Sequence, residues 1–202
     1  MISAFYHRPF PVIDIDENYY LRKQSIHDAD DFYKYYSDPE VGQYILAHKP
    51  NNLLEAQGEI QYCSQLFANR QGISWALADK KTDKMIGAVG LYINNQHYRA
   101  ELCYELSRPL WRQGIMTRCL KKLIPFCYDH IGLIRIEASI LKVNAASIGL
   151  LEQFGFQREA TLRNYRYFEQ KFYDIELYAH TTDSASHPAT QDLDALLAAV
   201  EA

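Results

Sequence analysis

The sequence predicts a single domain of the α+β class, in which a mixed, mostly antiparallel sheet is flanked by helices. Two apolar segments and a third, alternating one follow one another with only short polar turns between them, which is typical of an antiparallel meander. Helix-like and strand-like segments then alternate, and two further strands close the pattern near residue 180. The chain has 202 residues, enough for one domain with its own core.

The overall charge and hydropathy exclude several classes of protein. The net charge is −4, which does not suit a nucleic-acid-binding protein that relies on bulk positive charge. No run of about 18 apolar residues is present, so no membrane span is expected. The first residues, MISAFYHRPFPVIDID, lack the basic-then-apolar order of a signal peptide. We therefore expect a cytoplasmic protein.

The four cysteines, Cys63, Cys103, Cys119 and Cys127, show no spacing typical of metal ligands. Three of them lie inside apolar segments, which predicts reduced thiols in the core. We expect neither a zinc site nor a disulfide framework.

The N-terminal third of the chain predicts an arm, a strand and two helices. Residues 1–18 contain two prolines and suggest an extended arm, and Tyr19–Gln24 alternates like a strand. Ser25 followed by Asp28 resembles a capping box that starts a helix, which ends at Asp38 and Pro39. A second helix is expected after Asn52.

The central third predicts the meander. Its strands are Ile73–Ala78, Met85–Ile93 and Tyr98–Leu106, joined by polar turns. In the third strand, alternation divides the side chains between two faces. One face holds Leu102, Tyr104 and Leu106, and the other holds Glu101, Cys103 and Glu105.

The C-terminal third predicts a long helix, then a strand, a short helix and two strands. The long helix runs from about Gly114 to His130, with a kink at Pro125 and Gly132 as the residue that ends it. The remaining segments are the strand Leu133–Ile140, the helix that starts at Asn144 and ends at Gly155, and the strands Phe156–Tyr167 and Phe172–Ala179. A polar linker (residues 181–191) and a short amphipathic helix (192–202) follow the domain of residues 1–180. A helix that short is marginal alone, so it suggests docking on this subunit or on a partner, for example a second copy in a homodimer.

The stretch WRQGIMT, residues 111–117, has the features of an anion-binding site. Gly114 stands where a loop enters a helix, and Arg112 and Arg118 flank it. A helix N-terminus presents unpaired N–H groups and a partial positive charge, so such a loop can hold a phosphate with backbone donors. A solvated basic helix face is the structural alternative.

The order of elements and several of these segments resemble the GCN5-related N-acetyltransferases (GNAT), and within them the RimJ/RimL type. The segments are YYLRKQSIHDADDFYKYYSDPEV, AELCYEL, WRQGIMT, RIEASILKVNAASIGLLEQFGF and REATLRNYRYFEQKFYDIELYA, and the resemblance spans about residues 19–180. It implies acetyl-CoA as co-substrate and direct transfer to an amine without a metal or an enzyme nucleophile. The implied cofactor-binding residues are Leu106, Trp111, Arg112, Gln113, Gly114, Ile115, Met116, Thr117, Arg118, Asn144 and Ser147, with Lys121 and Lys122 as candidates for a 3′-phosphate. Trp111 and Met116 depart from the general family pattern at the first and last positions of the loop.

The resemblance also suggests catalytic residues. Many relatives have a tyrosine seven residues after the asparagine, where this chain has Leu151, so Ser147 is the candidate near the sulfur. An amine must lose a proton before it attacks, and the predicted strand offers Glu101 as the first candidate base and Glu105 as the second. A surface or salt-bridged role is the alternative for each glutamate. Leu106 would supply a backbone N–H to the thioester carbonyl.

Three functions remain open from the sequence. The first is acetylation of a protein N-terminus, and the second is acetylation of a small amine such as an amino acid, a polyamine or an antibiotic. The third is a CoA-binding regulatory module without turnover. The strand residues 164–167 are expected to line the acceptor cleft, again by resemblance.

Overall fold

The computed structural model describes residues 2–183 and confirms the predicted fold class. The strands are β1 Ile13–Asp14, β2 Tyr19–Lys23, β3 Gly72–Asp79, β4 Met85–Asn94, β5 Arg99–Leu106, β6 Arg135–Ile140, β7 Gln157–Phe168 and β8 Lys171–Thr181. The helices are α1 Ile2–Phe5, α2 Ala29–Tyr36, α3 Pro39–Gly42, α4 Leu53–Gln65, α5 Ile115–Phe126 and α6 Ala145–Gln153. The predicted tail helix (192–202) and most of its linker lie outside the described residues.

The strands form one sheet in the order β1-β2-β3-β4-β5-β6-β8-β7. Neighbouring strands are antiparallel except β5 and β6, which are parallel. The pairing of β5 with β6 covers only Arg99–Glu101 against Arg135–Glu137. The remaining residues of β5 therefore extend beyond the ladder, and the sheet opens at its centre.

Two hydrophobic clusters cover the two faces of the sheet. On one face, α2 and α4 pack over the small residues Ala76 and Ala88. On the other face, α1 and α5 pack against larger side chains, among them the fully buried Trp75. Because Ala88 is paired with Glu105, the second half of β5 turns Glu105 toward α2 and α4 and Tyr104 toward the opposite face.

The prediction of an extended arm for residues 1–18 is wrong. The first residues form the short helix α1, and residues 13–14 add a strand to the sheet edge. Ile2, Phe5 and Ile15 are buried in the larger cluster. Burial of these apolar side chains makes the segment part of the domain.

The long helix after Gly114 follows the prediction, including an irregularity near Pro125. The α-helix ends at Phe126 and continues as a π-helical turn over Cys127–Ile131. Proline removes one helix hydrogen bond and crowds the preceding turn, which accounts for the change in winding. Gly132 ends the segment with a left-handed φ of 82°.

Asp28 anchors the start of the first helical segment. Its side chain accepts hydrogen bonds from Arg22 Nη1 at 2.8 Å, Arg22 Nη2 at 2.7 Å and the Ser25 backbone N–H at 2.8 Å. It is only 3% exposed. The predicted interaction of Asp28 with the Ser25 backbone is confirmed.

We expect Asp28→Asn to lower the free energy of unfolding by about 2–3 kcal/mol, because it removes the buried charge partner of a largely buried guanidinium and leaves that guanidinium paired with an exposed carboxylate. Urea denaturation measures this change. Asp83→Asn is the control, since Asp83 also binds Arg22 but its side chain is 66% exposed; its cost should stay below about 1 kcal/mol. Equal costs for the two variants would contradict the role given to Asp28.

No helix among the described residues is long and apolar enough to cross a lipid bilayer. All four cysteines are free. Cys119 and Cys127 are buried as predicted, whereas Cys103 is exposed and lines a cleft.

Candidate active site

A cleft of about 1140 Å³ passes through the centre of the sheet. It is lined from β5, from the loop before α5 and from the start of α6. Residues from both faces of β5 reach it, Tyr104 on one side and Glu105 on the other. The cleft joins the two faces because β5 and β6 separate beyond Glu101.

The backbone of β5 turns polar groups toward this opening. Ser107 N–H donates to the Ile86 carbonyl at 2.8 Å, which marks residues 86 and 107 as a hydrogen-bonded pair of the antiparallel ladder. Since such pairs alternate, Tyr104 and Leu106 direct their N–H and C=O groups to the opposite edge, facing the gap. The Leu106 carbonyl accepts from Trp111 Nε1 at 2.7 Å, which ties the following loop to the strand.

The loop before α5 has the geometry of an anion cradle. Arg112 and Gly114 both adopt left-handed backbone conformations, with φ values of 59° and 68°. Gly114 is the N-cap of α5, so the N–H groups of Ile115, Met116 and Thr117 belong to the first helical turn and have no partner within the helix. Concave backbone of this kind binds phosphate groups. The loop therefore fits the pyrophosphate that the resemblance implies.

The structure divides the predicted cofactor-binding residues into two groups. Those that line the cleft are Leu106, Trp111, Arg112, Gly114, Ile115, Met116, Thr117, Asn144 and Ser147. Two others are engaged elsewhere. Arg118 Nε lies 2.6 Å from Asp16 Oδ2, and Gln113 Nε2 donates to the Pro109 carbonyl at 2.9 Å. Lys121 and Lys122 are exposed on α5 and do not line the cleft.

Asn144 and Ser147 lie at the start of α6. Asn144 Oδ1 accepts from the Ser147 backbone N–H at 3.1 Å, which confirms the predicted N-cap. An asparagine amide also has an Nδ2 donor, so capping leaves it able to bind a carbonyl group in the cleft. Leu151, where many relatives have tyrosine, is fully buried in the core.

Tyr104 supplies a phenol close to Ser147. Its hydroxyl lies 2.7 Å from Ser147 Oγ. Burial raises the pKa of Tyr104 to about 12, so the phenol stays protonated at neutral pH. No feature of the sequence indicates this pair, because alternation groups Tyr104 with the apolar Leu102 and Leu106, and no local pattern links β5 to α6.

The two candidate bases differ in their surroundings. Glu101 lies 3.4 Å from Arg166 Nη2. Glu105 accepts a hydrogen bond from Tyr35 Oη at 3.2 Å, and it is enclosed by protein while still reached by solvent through the cleft. Burial raises the pKa of Glu105 to about 7, with a smaller contribution from the negative charge of Glu59.

Other predicted positions are settled by their contacts. Of residues 164–167, Arg166 lines the cleft. Glu137 forms ion pairs with both Arg99 and Arg135.

The sequence of the chain matches the family model described as Acetyltransferase (GNAT) domain over residues 18–157. The chain therefore belongs to the GNAT family of acetyl-CoA-dependent N-acetyltransferases.

Two relatives of similar length are also described as N-acetyltransferases. The chain is 31% identical over 171 residues to the uncharacterized N-acetyltransferase YoaA of Bacillus subtilis, covering 84% of this chain and 96% of that protein. It is 33% identical over 160 residues to the uncharacterized N-acetyltransferase p20 of Bacillus licheniformis, covering 79% and 90% respectively.

Solved structures share the fold. RimL, titled a ribosomal L7/L12 alpha-N-protein acetyltransferase in complex with coenzyme A, superposes with a TM-score of 0.77 at 17% identity, covering 86% of this chain and 99% of that chain. The microcin C7 self-immunity acetyltransferase MccE, in complex with acetyl-CoA and AMP, gives a TM-score of 0.75 at 19% identity, covering 83% and 94%.

Proposed function

We propose that this enzyme transfers acetyl from acetyl-CoA to a primary amine, first of all the α-amine of a protein or peptide N-terminus. The observation that supports this is a cleft that joins the anion cradle at Gly114 to the carboxylate of Glu105 through the open centre of the sheet. The fold shared with ribosomal-protein N-terminal acetyltransferases supports the peptide acceptor.

In this proposal, the loop of residues 111–117 holds the pyrophosphate of acetyl-CoA and Arg112 adds positive charge. Asn144 binds the amide-bearing arm of the co-substrate. The thioester lies in the gap between β5 and β6, where the Leu106 N–H stabilises the carbonyl oxygen as it gains negative charge. Arg118 supports the loop through Asp16 and its own bond to the Gln113 carbonyl at 3.1 Å.

Glu105 is the base in the proposed reaction. A carboxyl with a pKa near 7 is partly ionised at neutral pH and can take a proton from an incoming ammonium group, directly or through water. The neutral amine then attacks the carbonyl carbon, a C–N bond forms and the C–S bond breaks. The departing thiolate takes its proton from the Tyr104–Ser147 pair, which regains one, through water, from the second proton that the new amide nitrogen releases. In this proposal Glu101 is not the base but forms part of the wall of the acceptor region.

A small amine is the second candidate acceptor. Tyr36, Tyr44 and Tyr92 line the cleft, which gives its acceptor end the aromatic walls of a small-molecule pocket. The likeness to MccE, a structure with AMP bound, supports this alternative in the same way.

CoA release from acetyl-CoA, measured across peptides and small amines, tests the proposal. Release with peptides and an added acetyl mass at the α-amine is the expected result. Release with small amines alone would favour the second candidate. No release with any acceptor, despite tight acetyl-CoA binding, would contradict turnover and leave the non-catalytic regulator.

We expect Tyr104→Phe to lower kcat by roughly 10- to 100-fold while leaving the KM for acetyl-CoA nearly unchanged, because it removes a proton donor but little binding surface. Steady-state kinetics at saturating acceptor measure this. Tyr98→Phe is a control at the end of the meander turn, at a residue that does not line the cleft. Full activity of Tyr104→Phe would remove Tyr104 from the reaction.

A further inference from the structure

An unpartnered buried oxygen lies in the wall of the cleft on the α2 and α4 side of the sheet. Gln24 is 4% exposed and lines the cleft. Its Nε2 donates to Ser74 Oγ at 2.8 Å, while its Oε1 has no hydrogen-bond partner. A buried acceptor without a partner costs stability, so its persistence points to a donor that arrives with a ligand.

The floor of this region is built from small residues. In the register of the sheet, Ser74 on β3 pairs with Gly90 on β4, and Gly90 pairs with Cys103 on β5. A Cβ at Gly90 would lie 2.9 Å from Cys103 Sγ, so the glycine keeps a depression that a larger residue would fill.

Carboxylates line the same cleft as the depression. Glu59 of α4 lines the cleft, and Cys63 Sγ lies 3.7 Å from Glu59 Oε1. Among the described residues, the carboxylates that line the cleft are Glu40, Glu59, Glu101 and Glu105. The lysine and arginine residues that line the cleft, again among the described residues, are Arg112, on the cofactor loop, and Arg166, which is paired with Glu101.

A group that donates hydrogen bonds and carries positive charge matches both features. An ammonium has three donors and no acceptor, so it can bind the Gln24 oxygen and be attracted by the Glu59 carboxylate. A neutral hydroxyl would satisfy the oxygen but gain nothing from the carboxylate, and an anion would be repelled.

The spacing separates this position from the reacting amine. Ser74 lies on β3, two strands and roughly 10 Å across the sheet from its register partner Cys103 on β5, and Glu105 lies two residues, roughly 7 Å, further along β5. With side chains reaching inward from both ends, a five-carbon chain with a nitrogen at each end suits this separation.

We propose that the acceptor carries a second ammonium group, which binds Gln24 and Glu59 while its other amine reacts at Glu105. This inference rests on the proposed acetyl transfer and narrows its acceptor class. The second ammonium belongs either to a small diamine or to a lysine side chain at a peptide N-terminus, since both place the two nitrogens five carbons apart.

The test compares matched acceptors. 1,5-Diaminopentane is measured against pentylamine, and a peptide with N-terminal lysine against the same peptide with N-terminal norleucine. We expect kcat/KM to be roughly 10- to 100-fold higher for the dicationic member of at least one pair, as for a hydrogen bond to a charged group. The pair that shows the preference identifies the source of the ammonium.

Variants assign the preference to residues. Gln24→Leu and Glu59→Gln should each reduce the ratio of dicationic to monocationic kcat/KM, mainly through KM. Gln61→Leu, on the exposed surface of α4 and away from the cleft, is the matched control and should keep the ratio. Acetyl-CoA affinity of each variant verifies that the fold is intact.

Two outcomes overturn different claims. Two results overturn the second-ammonium site alone: acetylation of the monoamine and of the norleucine peptide each at least as fast as its dicationic partner, or a dicationic preference that both variants leave unchanged. Failure to acetylate every acceptor contradicts the proposed transferase function itself.

Discussion

Replacing Glu105 by Gln is expected to lower kcat at pH 7 by roughly 100- to 1000-fold, because it removes the proposed general base while keeping the shape of the side chain. The Tyr35 hydroxyl, which donates to Glu105, can still donate to a Gln side-chain oxygen. Steady-state kinetics with the best acceptor measure the loss.

The pH profile makes this prediction specific. Only ionised Glu105 can accept a proton, so the kcat/KM of the wild type should rise as pH increases through about 7 and then level off. Glu105→Gln should lack this step. Glu101→Gln is the control, and it should keep the step because Glu101 lies toward Arg166 rather than under Tyr35. A step that persists in Glu105→Gln would show that another group is the base.

The same substitution should stabilise the protein at alkaline pH. The fold raises the pKa of Glu105 from 4.5 to about 7, so the folded state favours the protonated form. This contribution to stability is present below about pH 4.5 and is lost as pH rises through about 7. At pH 8 we therefore expect the free energy of unfolding of Glu105→Gln to be about 1–3 kcal/mol higher than that of the wild type. Equal stability at pH 8 would contradict the burial of this charge.

Replacing Gly114 by Asp is expected to weaken acetyl-CoA binding by roughly 100-fold, equivalent to about 2.8 kcal/mol. The new carboxylate would stand at the N-terminus of α5, where it competes with the pyrophosphate for the same N–H groups. A Cβ at this position also comes within 3.3 Å of Arg118 Nη1, so the carboxylate would neutralise charge beside the loop. Calorimetric titration with acetyl-CoA measures the change.

Gly114→Asn is the matched control for charge. Asp and Asn are both good N-caps and both tolerate left-handed backbone better than most residues, so each variant should fold. The Asn variant should lose much less affinity than the Asp variant. Equal affinities for the wild type and Gly114→Asp would contradict the assignment of the loop to phosphate binding.

Local features of the sequence predicted most elements because their signals are short-range. Asn52 and Asn144 cap their helices as the sequence indicated, since a cap depends on side-chain chemistry within three residues. The alternation of β5 likewise placed Glu101, Cys103 and Glu105 on one face correctly. The prediction of an extended arm was wrong because α1 is held by packing against distant parts of the chain, which a local sequence pattern does not indicate.

The site was predictable only in part, for the same reason. Gly114 and its loop could be recognised because the phosphate cradle is continuous in sequence. The Tyr104–Ser147 pair and the Gln24–Ser74 bond each join residues more than 40 positions apart, and only the tertiary fold brings them together. The choice between Glu101 and Glu105 as the proposed base also depends on how deeply each carboxylate is buried. Alternation places both on one face of β5 and does not distinguish their burial.

The structure of the complex with acetyl-CoA tests the central claim most directly. We predict that the pyrophosphate lies within hydrogen-bonding distance of the N–H groups that follow Gly114, and that the thioester lies in the gap between β5 and β6, beside Tyr104. A co-substrate bound elsewhere, or one whose thioester does not enter this gap, would contradict the account of the active site.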